Sequence, residues 1–516
     1  LNSSAATAAP RLLATDRRLL VGLFFLMAIV LYAVPANAMM HPVSDPDIWW
    51  HLRTGQWAVE HRAVPQTDPF SAYGQGQPWL AYSWLFEVVV YGLYRRFGLT
   101  GILAFRLVVC GVVLVAIHRF VVRREPRFLW STLLTALAFV AMIGLLAERP
   151  WLFTVLFTLF TLEAVLDLRA GTATRAVWLL PVIYALWANL HIQFVYGLAL
   201  LGLACAAPFA DALLRRPTSG RRADTLGTPA WRRLVMLTVA CAAGTLLNPY
   251  HVRLYAVVYE YASQPVAFQV VHELTTPLFT LPSALSVTAF ANWAFLALAG
   301  LGAFALGRRP PRSSLFEVLL FAGAAVAAFR ARRDTWLLVL VSLALWTALP
   351  RPSPARAAQF VFTRGRVAVV ALATAAVVVV LVLRHNLSEQ ALVDSVAREY
   401  PAAAVQHIRD KSYPGPLWNG FDWGGYLIWA LPEYPVSMDG RTNLHGNERL
   451  ARHANTGRGL YWESDPELMK TARLVLVSKS TQLPAALRHH PHFRLVYEDD
   501  LAAVFVTDEE ATPARS

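Results

Sequence analysis

Runs of about 20 mostly apolar residues recur along nearly the whole chain, and no other feature restricts its fold as much. A helix of that length crosses the hydrocarbon core of a bilayer. Within lipid every backbone N–H and C=O must be satisfied inside the segment or a closed barrel, so such runs read as helices. Candidate spans lie near 19–38, 101–120, 129–147, 151–168, 176–190, 193–212, 233–248, 286–306, 314–330, 335–350 and 367–384, about eleven helices in all. Composition agrees. Of the 516 residues, 56% are hydrophobic and only 15% charged, where a soluble domain carries about 25% charge. An ordinary soluble enzyme, a disordered chain and a fibrous repeat are thereby excluded.

The net charge of +13 by itself suggests a nucleic-acid partner, but its placement argues against one. Nearly all of it is arginine; the only lysines are Lys411, Lys470 and Lys479. The arginines fall at every second loop: Arg17/Arg18, Arg119/Arg123/Arg124/Arg127, Arg169/Arg175, Arg215/Arg216/Arg221/Arg222, Arg308/Arg309/Arg312 and Arg351/Arg356/Arg364/Arg366. Basic residues mark cytoplasmic loops. The pattern therefore predicts a membrane protein with its N-terminus in the cytoplasm and its C-terminus outside. Cys110, Cys205 and Cys241 each lie in an apolar run without a CxxC partner, which reads as small buried hydrophobes.

Three regions follow. Residues 1–18 form a Ser/Ala/Thr-rich cytoplasmic arm. Residues 19–384 form the membrane domain, with a long outer loop at 39–100 and an outer segment at 248–285. Residues 385–516 form a soluble α/β domain outside the membrane. Residues 17–38 with Ala36-Asn37-Ala38 mimic a secretory cleavage site; we read them as an uncleaved first helix. The segment 79–98 is apolar but holds Glu87 and ends in Arg95-Arg96, so it is expected to lie in the outer interface. In the tail, helices are expected at 402–409, 423–431 and 447–454. Strands are expected at 435–438, 473–477, 493–497 and 502–506, in a small, partly parallel sheet.

Polar chemistry concentrates on the outer side. The first outer loop carries His41, Asp45, Asp47, Trp49, Trp50, His51, Arg53 and Asp68. A carboxylate there is suited to accept a proton from a sugar or lipid hydroxyl, provided it lies within hydrogen-bond reach. The plainer reading makes Asp45 the cap of a helix beginning near Pro46, Asp47 a helix-dipole partner and the tryptophans interfacial anchors. Arg149, Arg330, Arg332 and Arg333 sit at outer helix ends, against the positive-inside bias. Guanidinium groups there suit a phosphate ester through bidentate hydrogen bonds. Snorkelling to headgroups, or pairing of Arg333 with Asp334, is the alternative. Asn189-Leu190-His191, Asn248-Pro249-Tyr250-His251 and His272-Glu273 face the same compartment. Asn248 before Pro249 is also a plain helix stop. Carboxylates such as Glu273 suit Mg²⁺ or Mn²⁺, although no spacing demands a metal.

In the tail, W-N-G-F-D-W-G-G-Y-L at 418–427 and M-D-G-R-T at 438–442 admit two readings. One is a sugar-binding surface with aromatic platforms, the other a packing motif where the domain docks on the membrane part. Phosphate-loop, serine-esterase and zinc-protease motifs are lacking from the sequence.

The sequence resembles bacterial GT-C-type membrane glycosyltransferases. The resemblance rests on D-P-D-I-W-W-H-L-R-T-G at 45–55, P-Q-T-D-P-F-S at 65–71 and P-W-L-A-Y-S-W-L at 78–85. E-R-P-W-L-F at 148–153, L-W-A-N-L-H at 186–191, L-N-P-Y at 247–250 and the two tail motifs add to it. It spans nearly the whole chain. It is specific for the subgroup with this first loop, and weaker for the oligosaccharyl-, mannosyl- and aminoarabinose transferases. It implies a protein of the bacterial inner membrane, with its C-terminus in the periplasm, that moves a hexose or pentose from a polyprenyl phosphate to a glycan, lipid or protein acceptor. Inversion is expected because the base activates a hydroxyl on the face of the sugar opposite the leaving phosphate. By the same resemblance, Asp47, with Asp45 as the alternative, deprotonates or orients the acceptor. Arg149 with Arg330 or Arg333 holds the lipid phosphate. Their place in the polar clusters of the outer segments makes His51, Asp68, His191, Asn248 and Glu273 the expected substrate contacts. Many relatives have an Asp-Glu pair where this chain has Asp-Pro-Asp. Two rival classes share some of these features: a flippase for lipid-linked sugars, and a non-catalytic membrane subunit. The latter predicts that the outer polar residues do not converge on one pocket.

Overall fold

The structure, a computed structural model, describes residues 35–40, 43, 45–213, 227–271, 274–275, 287–308, 314–349 and 383–507, with isolated positions between 372 and 381. Nine of the expected spans are helical there. The segments 19–38 and 367–384 lie largely outside the described residues, as do the arginine clusters at 215–222 and 351–366. Four described helices are both long and apolar enough to cross a bilayer: Trp84–Arg124, Trp151–Ala170, Phe194–Leu213 and Ala289–Gly307. Others are shorter. The run 129–147 becomes the helix Phe128–Ala141 followed by a 3₁₀ turn at Ile143–Leu145.

The long helix Trp84–Arg124 is two helices joined at Gly98, whose φ of 63° and ψ of −148° belong to glycine. The break separates the amphipathic stretch 84–97 from the apolar stretch that follows. It also leaves new N-terminal amides exposed, which the tail satisfies. Glu389 accepts from Leu99 N and Thr100 N, each at 2.8 Å, as a carboxylate at a helix N-terminus should. At the far end of the same helix, Arg119, Arg123 and Arg124 pair with Glu163 and Asp167 of Trp151–Ala170. Part of the arginine row noted in the sequence thus ties two helices together.

The tail builds a four-stranded sheet: β1 Leu417–Asn419, β2 Leu474–Ser478, β3 Phe493–Glu498 and β4 Ala502–Thr507. The order is β1-β2-β4-β3, with β1 parallel to β2 and the other pairs antiparallel. Alternate side chains serve opposite faces. Leu474, Leu476, Val504 and Val506 belong to the core continuous with the helical part. Val475, Val477, Ala503 and Phe505 pack with Trp418, Leu483 and Leu487 in a second core. Three expected strands are found. The segment 435–438 is not a strand; it makes a single bridge, Ser71 to Val436, that joins the tail to the first outer loop. Strand β1 was hidden in the sequence by its three-residue length.

Candidate active site at the junction of the first outer loop and the tail

The helix Ile48–His61 opens with two aspartates in different roles. The Asp45 carboxylate accepts from Asp47 N at 2.9 Å and its carbonyl from Ile48 N at 3.3 Å, which forms the entering turn. The Asp47 side chain makes no capping bond and faces outward from the turn. Arg149 joins the pair: its Nε pairs with Asp45, and its Nη1 lies 2.7 Å from Asp47 Oδ2. Its guanidinium lies over the Trp151 ring, 4.7 Å from the centroid. Behind it, the buried pair Arg106–Glu148 (2.9 Å) reaches the loop, because Glu148 Oε1 accepts from Asp45 N at 3.3 Å.

Asp47 and Arg149 border a cavity of about 460 Å³ lined also by Trp50, His51, Tyr82, Trp151, His191, Tyr261, Arg333, Phe421, Asp422, Gly440 and Thr442. That volume is in the range of small-molecule sites. A second cavity of about 350 Å³ adjoins it and shares Tyr82, His191, Tyr261 and Arg333. Its remaining lining is mostly apolar, with Val195, Val258, Phe268, Val326 and Ala327, and it contains Arg330. At the border the Tyr82 and Tyr261 hydroxyls are 3.0 Å apart. Asp334 is fixed there by Tyr196 Oη at 2.7 Å and Gln193 Nε2 at 3.2 Å, and Arg330 stacks on Phe268 at 4.4 Å.

Electrostatics follow from enclosure. Burial, and then the nearby Arg149 and His191, hold His51 well below the usual imidazole range. Burial, with Arg333 and Arg149, brings His191 down to about 3. Both rings are therefore neutral at pH 7. Burial pushes the Tyr82 phenol up to about 12, so it remains a donor. Desolvation in the cavity, and then the Asp47 charge, raise the Asp422 carboxyl from its ordinary value.

The tail closes one side of this cavity. Its helix Gly424–Ala430 lies on Ile48–His61, so closely that a Cβ at Gly425 would overlap the Pro46 carbonyl. Trp49 meets Tyr400 and Tyr426 edge-on at 5.6 and 5.3 Å. The paired tryptophans thus pack in the protein rather than anchor in an interface. Arg441, 1% exposed, bonds Asp439 twice and reaches Asp68 in the first loop. This holds the loop 438–442 with Gly440 against the Asp47 carboxylate.

The site residues expected from sequence separate into groups. Asp47, Arg149, His51, His191 and Arg333 line the polar cavity, and Arg330 lines its apolar neighbour. Asp45 stands behind Arg149. Asp68 is buried under Arg441 and lines neither cavity. Asn248 accepts from Tyr250 N at 2.7 Å, the local helix stop its Pro neighbour suggests. Glu273, His272 and His41 lie outside the described residues. Tyr82, Tyr261, Asp422, Gly440 and Thr442 were not singled out from the sequence. Each except Tyr261 sits inside a motif already noted, which was the available signal. Among the described residues no three His, Cys, Asp or Glu side chains group as a metal site. Asp45 and Asp47 are both turned to Arg149, so these residues do not fit Mg²⁺ or Mn²⁺, and no step is routed through a metal.

No protein-family model and no curated protein sequence matches the chain. Solved structures do. One is the archaeal oligosaccharyltransferase AglB from Archaeoglobus fulgidus, in complex with an inhibitory peptide and a dolichol-phosphate. It has a TM-score of 0.51 at 13% identity, over 95% of this chain and 75% of that one. The apo form of the A. fulgidus oligosaccharyltransferase gives 0.50 at 12% identity, again over 95% and 75%. ArnT from Cupriavidus metallidurans in the apo state gives 0.48 at 15% identity, over 97% and 100%. At these identities the likeness to the archaeal protein is one of fold: a helical bundle with a small sheet-bearing tail.

Proposed function

We propose that the protein is a membrane glycosyltransferase. It moves a hexose or pentose from a polyprenyl-phosphate donor to a glycan, lipid or protein acceptor on the periplasmic side, with inversion at the anomeric carbon. The observation that carries this reading is the pair of joined cavities. A lipid-linked sugar has an apolar tail, an anionic phosphate and a polar sugar in that order. The apolar cavity, the border at Arg333, Tyr82 and Tyr261, and the polar cavity at Asp47 repeat that order. An isoprenoid phosphate is also what the archaeal protein of similar fold was solved with.

In this scheme the isoprenoid lies along Val258, Phe268 and Val326. Arg333 and Arg330 receive the phosphate, and the tyrosine pair adds a neutral O–H donor. Such fixed donors stabilise negative charge as it grows on the leaving phosphate. Asp47 meets the acceptor hydroxyl across the sugar from that phosphate, where attack inverts the anomeric centre. Arg149 holds Asp47 and Asp45 in place. His51 and His191, both neutral, are available to hydrogen-bond sugar hydroxyls. The convergence of Asp47, Arg149 and Arg333 on one cavity is what a non-catalytic subunit does not require. A flippase has no need of Asp47.

The test is incubation of the purified protein in lipid nanodiscs with defined undecaprenyl-phosphate sugars and envelope-derived acceptors, read by mass spectrometry. A glycosylated product that disappears in Asp47→Asn supports the proposal. No product from any donor, together with no retention of undecaprenyl phosphate, overturns it.

A further inference from the structure

We infer that Asp422, carried by the tail domain, is the group that takes the acceptor's proton, while Asp47 orients the hydroxyl; this rests on the transferase reading above.

Two carboxylates line the polar cavity, and their surroundings differ. Asp47 has Arg149 Nη1 at 2.7 Å on Oδ2, while Gly440 abuts Oδ1. Both Asp47 oxygens are thus already in contact, one of them with a guanidinium that fixes its orientation. They are placed to receive a hydrogen bond from the acceptor hydroxyl and so to orient it. Asp422 lines the same cavity and has no hydrogen bond or ion pair among the described residues. It also remains open to the cavity solvent.

Its position is nevertheless fixed. It sits in the 3₁₀ turn Phe421–Trp423, between strand β1 and the helix Gly424–Ala430. The turn is tied to the sheet by Gly420 N to Leu476 O at 3.2 Å and closed by Trp423 N to Gly420 O at 3.3 Å. Asn419, fully buried, bonds Met438 O at 2.8 Å and Ser437 N at 2.8 Å. This locks the turn to the segment leading to Gly440. A Cβ at Gly424 would overlap the Met438 carbonyl, so the two glycines let the turn nest between that segment and Pro46. A side chain left unpaired on a fixed turn, in a cavity, has the placement a general base needs. Burial and the Asp47 charge also move its titration upward, toward the working pH where proton transfer is most effective.

The step balances as follows. The acceptor O–H bond breaks and its proton passes to an Asp422 carboxylate oxygen. The acceptor oxygen forms the new bond to the anomeric carbon. The bond from that carbon to the phosphate oxygen breaks, and its electron pair leaves on the polyprenyl phosphate. The Asp422 carboxylic acid then returns its proton to solvent.

The experiment uses the full-length protein with a donor and acceptor found by the product screen. Asp422→Asn, nearly isosteric and at an open position, is expected to lower kcat by about 10²-fold or more with the donor KM unchanged. Since the active form of Asp422 is the anion, the wild-type rate falls as pH drops through its raised pKa. That acid limb should be absent in the Asn variant. Asp422→Gly should regain turnover when formate is added, which a purely structural residue does not do. Unaltered kcat and acid limb in Asp422→Asn, with wild-type turnover intact, would overturn the assignment and return the proton to Asp47. Wild-type protein that neither turns over any donor nor retains undecaprenyl phosphate overturns the underlying transferase reading instead.

Discussion

Arg149 Nη1 stands 2.7 Å from Asp47 Oδ2 while its Nε pairs with Asp45, so one guanidinium serves both acids of the Asp-Pro-Asp motif. Read from the sequence, the arginine was a phosphate ligand and the aspartates were alternative bases. In space the three form one unit, and Arg330 and Arg333 are the other guanidinium groups that line the two cavities.

Replacing Arg149 should therefore act on the acids before it acts on the donor. Arg149→Ala removes the guanidinium that pairs with Asp45, whose side chain is 2% exposed. Breaking such a pair costs about 3 kcal/mol or more. The expected outcome is a lower thermal unfolding midpoint in detergent, together with reduced turnover because Asp47 is no longer held in place. Lysine should restore charge but only part of the stability, because it lacks the fork that spans two carboxylates.

Arg333 borders both cavities, and its loss should appear in donor binding. We expect Arg333→Met to weaken retention of undecaprenyl phosphate by about tenfold to a hundredfold, the worth of one charged hydrogen bond. Native mass spectrometry or microscale thermophoresis on the purified protein measures it. Unchanged retention would remove Arg333 from the phosphate site.

Gly440→Ala is a steric test. The new Cβ would overlap Asp47 Oδ1, which displaces either the carboxylate or the tail loop. Turnover should fall by at least about tenfold, while folding and lipid-phosphate retention remain near wild type.

The Arg441 latch predicts a pH dependence of docking. Burial alone would raise Asp439, but Arg441 outweighs it and holds the carboxyl far below the usual range. A carboxyl depressed on folding contributes stability that is complete above its unfolded value of about 3.9 and lost as pH falls below it. Arg441→Ala removes the guanidinium shared by the buried Asp68 and Asp439 at every pH above that window. Limited proteolysis at neutral pH should then release the tail from the variant but not from the wild type.

His191 sets a second window. Its folded pKa of about 3 lies below the unfolded value of about 6.5. The neutral ring is thus what the fold accommodates, and the associated stability is full above pH 6.5 and declines as pH falls from there toward 3. Thermal midpoints should drop across that interval in the wild type and less so in His191→Asn.

Much of the fold was legible because lipid leaves so few solutions. Apolar length alone located helices such as Trp151–Ala170 and Phe194–Leu213, and alternation or apolar runs located β2, β3 and β4. The first-loop motif also gave Asp47 and His51 correctly as neighbours, since both lie in or at the start of one helix. Tertiary proximity was beyond that reach. Asp68 looked like a substrate ligand by its place in the loop, yet Arg441, 373 positions away, occupies it. Tyr82 and Tyr261 are 179 positions apart and meet only when the outer segments fold over one another. Asp422 lay in a motif that read better as packing; its neighbours Trp423 and Tyr426 are indeed buried, while Asp422 turns to the cavity.

The sequence by itself determined that this chain is a bundle of apolar helices with a sheet-bearing α/β tail, because hydrophobic length and strand periodicity are local properties. The tertiary structure decided which charges are spent on one another and which remain for a ligand. Ion pairing depends on distances between segments far apart in the chain: it is what sets Asp45 and Asp47 against Arg149, and Asp68 against Arg441, and leaves Asp422 facing the cavity.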